Sequence, residues 1–137
     1  MNQVHHLTFV VRDLDESLLR FSRDFGVTVV HNEALSDRGV LTARFLIGEL
    51  WFVLVQPISD GAPMQHLREH GEGLLLISFQ TVDLNSAMAD FAARGVTTRG
   101  SPRTGVGNWQ VVDLESGAVP GCVAQLCLES QFSDVLG

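Results

Sequence analysis

The chain has 137 residues, of which 45% are hydrophobic and 18% are charged, a balance that excludes an intrinsically disordered protein. A chain of this length fits one domain and buries enough surface to need no disulfide staple. The formal net charge of −7 excludes a nucleic-acid-binding protein, because the sequence has no cluster of Lys and Arg to overcome repulsion from phosphates.

The amino-terminal residues predict a strand followed by an amphipathic helix. Residues 5–11 alternate between an apolar back face and a mixed front face, which is the pattern of a half-buried strand. Asp13 precedes Glu16 in the spacing of a capping box, and leucine and phenylalanine then recur at helical steps. Gly26 follows the last of them and predicts the end of the helix.

The middle of the chain predicts three strands and one short helix. Pro63 favours the first turn of the helix and Gly71 favours its end. His66 and His70 on this helix have a spacing compatible with metal binding, but an exposed helical face explains them equally and is the reading we favour. The strands are expected at residues 27–30, 41–47 and 50–56.

The strand–helix pattern then returns. Residues 76–81 alternate as a strand, Asp83 can cap a second helix, and Gly95 ends it. Two later segments are rich in Gly, Pro, Ser and Thr and are expected to be loops, at residues 100–107 and 115–121. The remaining strands are expected near residues 96–98, 108–113 and 122–129.

These two strand–helix segments form an internal repeat. The sequence LTFVVRDLDESLLRFSRDFGVT aligns with ISFQTVDLNSAMADFAARGVT, so that Leu7 matches Ile77 and Asp13 matches Asp83 at a constant separation of 70 residues. The match includes strand, cap, helix and terminal glycine, which is typical of a duplicated βαβββ module. Two unrelated strand–helix units that share common capping residues are the alternative.

The repeat predicts an α+β fold in a single domain. Module 1 covers about residues 1–58, a linking helix about residues 60–71, and module 2 about residues 73–130. A curled mixed sheet that carries its helix on one side needs cover on the other side. We therefore expect the two sheets to enclose a ligand trough that is lined by their front faces, with the helices outside.

The chain resembles the vicinal-oxygen-chelate superfamily, which includes glyoxalases, bleomycin-resistance proteins and dioxygenases. The resemblance is carried by HHLTFVVRDLDESLLRFSRDFGV, GELWFVLVQP, HLREHGEGLLLISFQTVDL, VVDLESG and GCVAQL, and it covers nearly the whole chain. The stretch from Pro63 to Leu84 is most similar to the methylmalonyl-CoA epimerase branch. The resemblance implies the paired-module fold but no single activity, because the superfamily includes epimerases, lyases, dioxygenases, thiol transferases and binding proteins.

For the metal enzymes of this superfamily, the resemblance implies one metal ligand from each of four strands. The matching positions are His6, Val53, Leu76 and Gln125, and two of them are aliphatic. Divalent ions of this class need several N or O donors, so we expect no tightly bound metal and no other cofactor, with a divalent ion as the disfavoured alternative. Where the epimerase branch has carboxylate bases, this chain has Thr42 and Gln125.

The predicted trough has an apolar lining with a few hydrogen-bonding groups, which is typical of a pocket for a small organic ligand. His6 is the candidate general acid or base. The alternative is that the trough closes and its lining is ordinary core. The expected ligand-binding residues are His6, Thr8, Trp51, Val53, Leu76, Ser78, Gln80, Trp109 and Gln125.

Four functions remain open, and we rank them by the loss of metal ligands and carboxylates. The first is a metal-free binding protein of the bleomycin-resistance type that holds a small organic ligand. The second is a metal-independent isomerase, epimerase or cyclase in which His6 transfers the proton. The third is a metal-dependent enzyme similar to methylmalonyl-CoA epimerase or glyoxalase. The fourth is a non-catalytic subunit, which would need an exposed apolar patch for a protein partner.

The cysteines and the amino terminus predict the compartment. Cys122 and Cys127 lie on opposite faces of one predicted strand and cannot pair, and free thiols suit a reducing compartment. The amino terminus has no signal-peptide pattern, and no apolar run reaches the roughly 20 residues of a membrane span. We expect a cytoplasmic protein with no membrane partner, and a homodimer, because modules of this kind often pair between chains.

Overall fold

A computed structural model describes residues 1–129 of the chain. These residues form two compact units: His6–Leu75, called here the N-terminal unit, and Met1–His5 together with the chain from Leu76 onward, called the C-terminal unit. No helix among the described residues is long and apolar enough to cross a membrane. The elements are β1 (Gln3–Val10), α1 (Leu14–Phe25), β2 (His31–Leu35), β3 (Val40–Ile47), β4 (Leu50–Pro57), α2 (Ala62–His70), β5 (Gly73–Gln80), α3 (Leu84–Ala93), β6 (Thr98–Thr104), β7 (Gln110–Leu114) and β8 (Val123–Leu128).

Both long helices begin at the predicted capping residues. The Asp13 carboxylate accepts a hydrogen bond from the Glu16 backbone N–H at 3.0 Å, and this bond satisfies one of the free donors in the first turn of α1. Asp83 does the same for the Ser86 backbone N–H at 3.1 Å in α3. Gly26 ends α1 with a φ of 70°, a left-handed conformation that glycine adopts without steric cost.

The N-terminal unit orders its strands β2-β3-β4-β1, with β1 parallel to β4 and the other pairs antiparallel. Helix α1 covers the back face of these strands. Phe21 of the helix packs on Phe45 of β3 with ring centroids 4.8 Å apart, and Leu54 lies in the same cluster. Phe45 is fully buried, so truncating it to alanine would cost about 3–5 kcal/mol.

The C-terminal unit repeats this arrangement. Its strands lie in the order β5-β8-β7-β6, with β5 parallel to β8. Its back-face core contains Leu84 of α3 together with Val112 and Leu126 of the sheet. The α+β fold class and the βαβββ order of elements in each repeat are therefore confirmed, and so is the short helix α2.

The strand register supports the internal repeat at the level of single residues. Thr8 lies opposite Val53 on the parallel pair of the N-terminal unit. Ser78, which is 70 residues after Thr8, lies opposite Gln125 in the C-terminal unit. Val53 and Gln125 therefore hold equivalent places in the last strands of the two modules, as the sequence alignment predicts.

Three predicted segments differ from the structure. Of the strand expected near residues 96–98, only Thr98 lies in a strand, as the first residue of β6. Residues 27–30 are not a strand, since β2 begins only at His31, where pairing with Arg44 of β3 starts. The predicted loop at residues 100–107 is mostly strand β6. This strand is the edge strand of its unit, and its pairing with β7 contains a register shift. An edge strand with a bulge accommodates Gly100 at a φ of 71° and a proline, so the loop-forming composition was misleading.

The cap of α1 provides a test of this local construction. Replacing Asp13 by alanine removes the side-chain acceptor of the Glu16 N–H and should lower the free energy of unfolding by about 1 kcal/mol. Asp13→Asn keeps an acceptor and should stay within about 0.5 kcal/mol of the parent. Urea denaturation followed by circular dichroism measures both, and equal losses in the two variants would contradict this role of the side chain.

Candidate functional site

The front face of the N-terminal unit is the side of its strands that points away from α1. It carries His6 and Thr8 of β1, which are 4% and 6% exposed, and Val53 of β4, which is 2% exposed. His6 lies opposite Trp51 in the register, as Thr8 lies opposite Val53. The structure thus brings four predicted site residues together on adjacent strands, and three of them are nearly inaccessible to solvent.

Trp51 is the partly exposed member of this group and lies in a charged setting. The Arg44 guanidinium lies over its ring at 5.6 Å, and the same Arg44 forms an ion pair with Glu33 at 3.2 Å. The His31 ring approaches Trp51 edge-on at 5.9 Å. A cavity of about 340 Å³ opens beside Trp51, His31 and Leu46. Glu33 and Arg44 were not predicted, because their pairing depends on register.

The front face of the C-terminal unit is more polar. Ser78 of β5 is fully buried, and Gln125 of β8 is 3% exposed. Leu76 and Gln80 at the two ends of this row are partly exposed, and the Gln80 side chain accepts a hydrogen bond from the Gln3 side chain at 2.8 Å. These predicted residues therefore share one strand pair, with polar groups in its buried centre.

Asp113 of β7 organises this polar centre. Its carboxylate accepts a hydrogen bond from Gln125 Nε2 at 3.0 Å and faces the Arg103 guanidinium at 3.4 Å. Gln125 and Asp113 lie directly opposite each other on antiparallel strands. Neither Asp113 nor Arg103 was among the predicted site residues, although Asp113 lies in the segment VVDLESG, which contributes to the family resemblance.

The two units contain the same kind of ion pair with its charges exchanged. Arg44 and Asp113 hold equivalent positions, because each lies opposite the equivalent residue in the last strand of its module. Arg44 pairs with Glu33 on the neighbouring strand, and Asp113 pairs with Arg103. The duplicated scaffold therefore presents a cation to one front face and a carboxylate to the other.

His5 was not a predicted site residue. It belongs to the C-terminal unit and is 3% exposed. Its Nε2 donates a hydrogen bond to the Glu129 carboxylate at 2.7 Å, and its Nδ1 lies 3.6 Å from the Cys127 sulfur. The Trp109 ring meets the His5 ring edge-on at 4.5 Å. Strict alternation along the first strand predicts His5 on the back face, so this cluster was not expected from the sequence.

Trp109 reaches this cluster from a tight turn. The Trp109 backbone N–H donates to the Val106 carbonyl at 3.0 Å, and its carbonyl accepts from the Gly105 N–H at 2.8 Å. Gly107 and Asn108 both have positive φ within the turn, a conformation that asparagine tolerates better than other side chains. Trp109 is only 3% exposed, so the turn holds its ring inside the C-terminal unit.

The thiol of Cys127 stays protonated and is therefore a poor nucleophile at neutral pH. Burial, followed by the negative charge of Glu129, raises its pKa to about 12. The Ser78 hydroxyl lies close enough to oppose part of this rise, although it does not reach hydrogen-bond geometry with the sulfur. A thiol with this pKa keeps its proton at neutral pH and can donate it to His5 Nδ1. Cys127 is thus a structural residue of the cluster.

A second cavity lies on the back face of the N-terminal unit. It measures about 330 Å³ and is lined by Phe9, Phe21 and Leu54 among others, with Arg20 and Glu72 also in its wall. None of its lining residues is a predicted site residue. It is therefore a separate feature from the two front faces.

Comparisons with known proteins agree with this architecture. The sequence model of the Glyoxalase/Bleomycin resistance protein/Dioxygenase superfamily matches residues 5–112. The structure of Streptomyces coelicolor methylmalonyl-CoA epimerase in complex with 2-nitronate-propionyl-CoA is similar, with 26% identity, a TM-score of 0.86 and coverage of 93% of this chain and 97% of that chain. The predicted resemblance to the superfamily and to its epimerase branch is thereby confirmed at the level of family and fold.

Two further relatives are more distant in sequence. Methylmalonyl-CoA epimerase from Mycobacterium tuberculosis is 19% identical with a TM-score of 0.88, covering 97% of this chain and 91% of that chain, and this likeness shows the fold alone. The uncharacterized protein YqjC of Bacillus subtilis (strain 168) is 22% identical over 129 residues, which is 93% of this chain and 92% of that protein.

The high pKa of Cys127 gives a direct prediction. At pH 8 a thiol with a pKa of about 12 is ionised to about one part in 10⁴, so Cys127 should not react with 5,5′-dithiobis(2-nitrobenzoate) in the folded protein. Only the partly exposed Cys122 should react, and Cys127 should follow after denaturation in guanidinium. The Cys122→Ser variant is the control, and rapid labelling of this folded variant would refute the assignment.

Proposed function

Because the chain belongs to the glyoxalase/bleomycin resistance protein/dioxygenase superfamily, we propose that it binds a small organic molecule and works without a metal ion. One observation carries this proposal, namely the side chains at the four positions that match metal ligands in the superfamily. They are His6, Val53, Leu76 and Gln125.

The residues at these positions do not fit a divalent ion. Val53 is buried in β4 and Leu76 lies on β5, and neither side chain has a donor atom. Gln125 has its amide nitrogen engaged by Asp113, which leaves only its amide oxygen. One imidazole and one neutral amide oxygen form a poor set for ions that prefer several N or O donors. We therefore assign no chemical step to a metal.

The character of the front-face residues supports ligand binding. Small-molecule sites combine apolar walls with a few placed polar groups. On the C-terminal front face, Leu76 supplies apolar surface, while Ser78 and Gln125 supply polar groups from buried positions. The oxygen of the Gln125 amide is buried and forms no hydrogen bond within residues 1–129, a feature that a bound molecule would satisfy.

A metal-independent isomerase or epimerase is the second candidate. The observation that favours it is the likeness, at 26% identity, to a methylmalonyl-CoA epimerase. In this candidate His6 would give or take the proton, while Thr8, Ser78 or Gln125 would orient the substrate. A metal-dependent enzyme of the epimerase or glyoxalase type remains third, because it needs the ligands that are replaced here.

Metal content separates the third candidate from the others. After exposure to Ni²⁺, Co²⁺, Mn²⁺ or Zn²⁺ and dialysis, the protein should retain well below one equivalent by elemental mass spectrometry. The measurement should use the His66→Ala/His70→Ala variant as well as the parent chain. These two rings lie 4.8 Å apart on α2, and partial burial lowers the pKa of His66, so this surface pair can bind metal by itself.

The double variant Leu76→His/Gln125→Glu is the positive control for this experiment. It adds two donors at matching positions and should raise metal retention if the replaced ligands are the reason for weak binding. Stoichiometric metal in the His66→Ala/His70→Ala protein would overturn the proposal and favour a metal-dependent enzyme.

Hydrogen–deuterium exchange at C2 of methylmalonyl-CoA distinguishes a binding protein from the second candidate, a metal-independent isomerase or epimerase. For a binding protein, proton NMR in D₂O should show exchange at C2 no faster than without protein, both for the parent and for His6→Ala. For fragments found by thermal-shift screening, His6→Ala should change affinity by about tenfold or less. Exchange that the parent catalyses and His6→Ala abolishes would replace our proposal with the His6-dependent enzyme.

A further inference from the structure

Three buried polar atoms on the C-terminal front face have no hydrogen-bond partner among the described residues, two of them on long side chains. These two are Gln125 Oε1, an acceptor, and Arg103 Nε, a donor. The buried Ser78 hydroxyl, opposite Gln125 on the parallel strand, has none either. Buried polar groups are nearly always paired, so a cluster of unpaired ones marks a place where another molecule supplies the bonds.

The Asp113 carboxylate determines the orientation of the Gln125 amide, that is, whether its oxygen or its NH₂ group lies next to Asp113. An ionised carboxylate only accepts hydrogen bonds, so the NH₂ group of Gln125 must face Asp113, as the 3.0 Å contact has it. The ion pair with Arg103 holds the carboxylate in position. The amide oxygen therefore points away from Asp113 and cannot exchange with the nitrogen without placing two acceptors together.

We propose that Gln125 Oε1 accepts a hydrogen bond from a neutral donor group of the ligand, either an amide N–H or a hydroxyl, and that Asp113 is the positioning residue that sets this preference. This inference rests on the proposed binding function. A ligand carboxylate at the same place would put acceptor against acceptor and leave Gln125 unsatisfied.

The charges around Gln125 agree with a neutral ligand group. The positive charge of Arg103 is compensated by Asp113, so the polar centre offers no net charge to attract an anion. Arg103 Nε still needs an acceptor, which a carbonyl oxygen of the ligand would provide. An amide carries both functions in one group.

The N-terminal unit lacks this arrangement. At the place equivalent to Gln125 it has Val53, and at the place equivalent to Asp113 it has Arg44, whose partners are Glu33 and Trp51. The donor preference is therefore a property of the second module alone, and variants of the C-terminal unit test it directly.

Two neutral probes of matched shape, benzamide and acetophenone, isolate the donor, because they differ by an NH₂ group in place of a methyl group. Nitrogen–proton NMR titration at millimolar concentrations should show benzamide binding about tenfold more tightly, with a shift of the Gln125 side-chain NH₂ signal. Benzyl alcohol distinguishes a hydroxyl donor from an N–H donor, and benzoate should bind more weakly than benzamide.

The Asp113→Asn variant tests the positioning role. Its side-chain amide can accept or donate, so the Gln125 amide can turn and present its NH₂ group to acetophenone. The ratio of benzamide to acetophenone affinity should then fall to within about threefold of unity. Asp90→Asn on the exposed side of α3 makes the same charge change and should keep the parent ratio. Thermal unfolding confirms that both variants fold.

The outcomes separate this inference from the proposed function. Equal affinity of the parent protein for benzamide and acetophenone, or an unchanged ratio in Asp113→Asn, would overturn the inference while leaving a binding protein. If no probe and no member of a general fragment library shifts signals of the C-terminal front face, the proposed function fails, and the inference fails with it.

Discussion

Register between the first and last strand of each module is the constraint on which the rest of this structure depends. Successive side chains of a strand face opposite sides, so a slip of one residue would exchange the buried back face with the front face. Aromatic packing opposes such a slip in the N-terminal unit, where Phe21 of α1 holds Phe45 and Phe52 of the sheet. Leu126 and Val112 serve this purpose under α3 in the other unit.

With the back faces locked in this way, the front faces of the two modules can differ. The same scaffold positions carry Val53 in one unit and Gln125 in the other, and they carry opposite charges at Arg44 and Asp113. Front-face substitutions leave the helix-side core untouched, which is how one fold can host many activities. The family likeness therefore reports the back-face core and the register, while the front-face residues decide the chemistry.

The proposed binding function follows from what those front faces offer. Aliphatic residues replace donors at two positions that match metal ligands, namely Val53 and Leu76. Gln125 is constrained by Asp113, and Cys127 keeps its proton beside His5. An amide held by a carboxylate and a protonated thiol are suited to recognition through hydrogen bonds, in agreement with the proposed binding function.

The sequence by itself determined the features that depend on local chemistry and on periodicity. The caps at Asp13 and Asp83 and the alternation of the first strand are visible in the residues, because each rests on spacing within about a dozen positions. The repeat, and with it the α+β order of elements, is visible because the two segments match at a constant separation of 70 residues. The equivalence of Val53 and Gln125 was also predictable, since it follows from the repeat.

Tertiary structure alone decided which distant side chains meet. The Arg103–Asp113–Gln125 contacts and the cluster of His5 with Trp109 and Glu129 join residues from separate strands, and no local pattern encodes a hydrogen bond that depends on register, twist and a bulge. Most of strand β6 was expected to be loop for a similar reason, because pairing with β7 stabilises a segment whose Gly and Pro content favours a loop. Long-range pairing overrides local propensity wherever it supplies the backbone hydrogen bonds that the local sequence cannot.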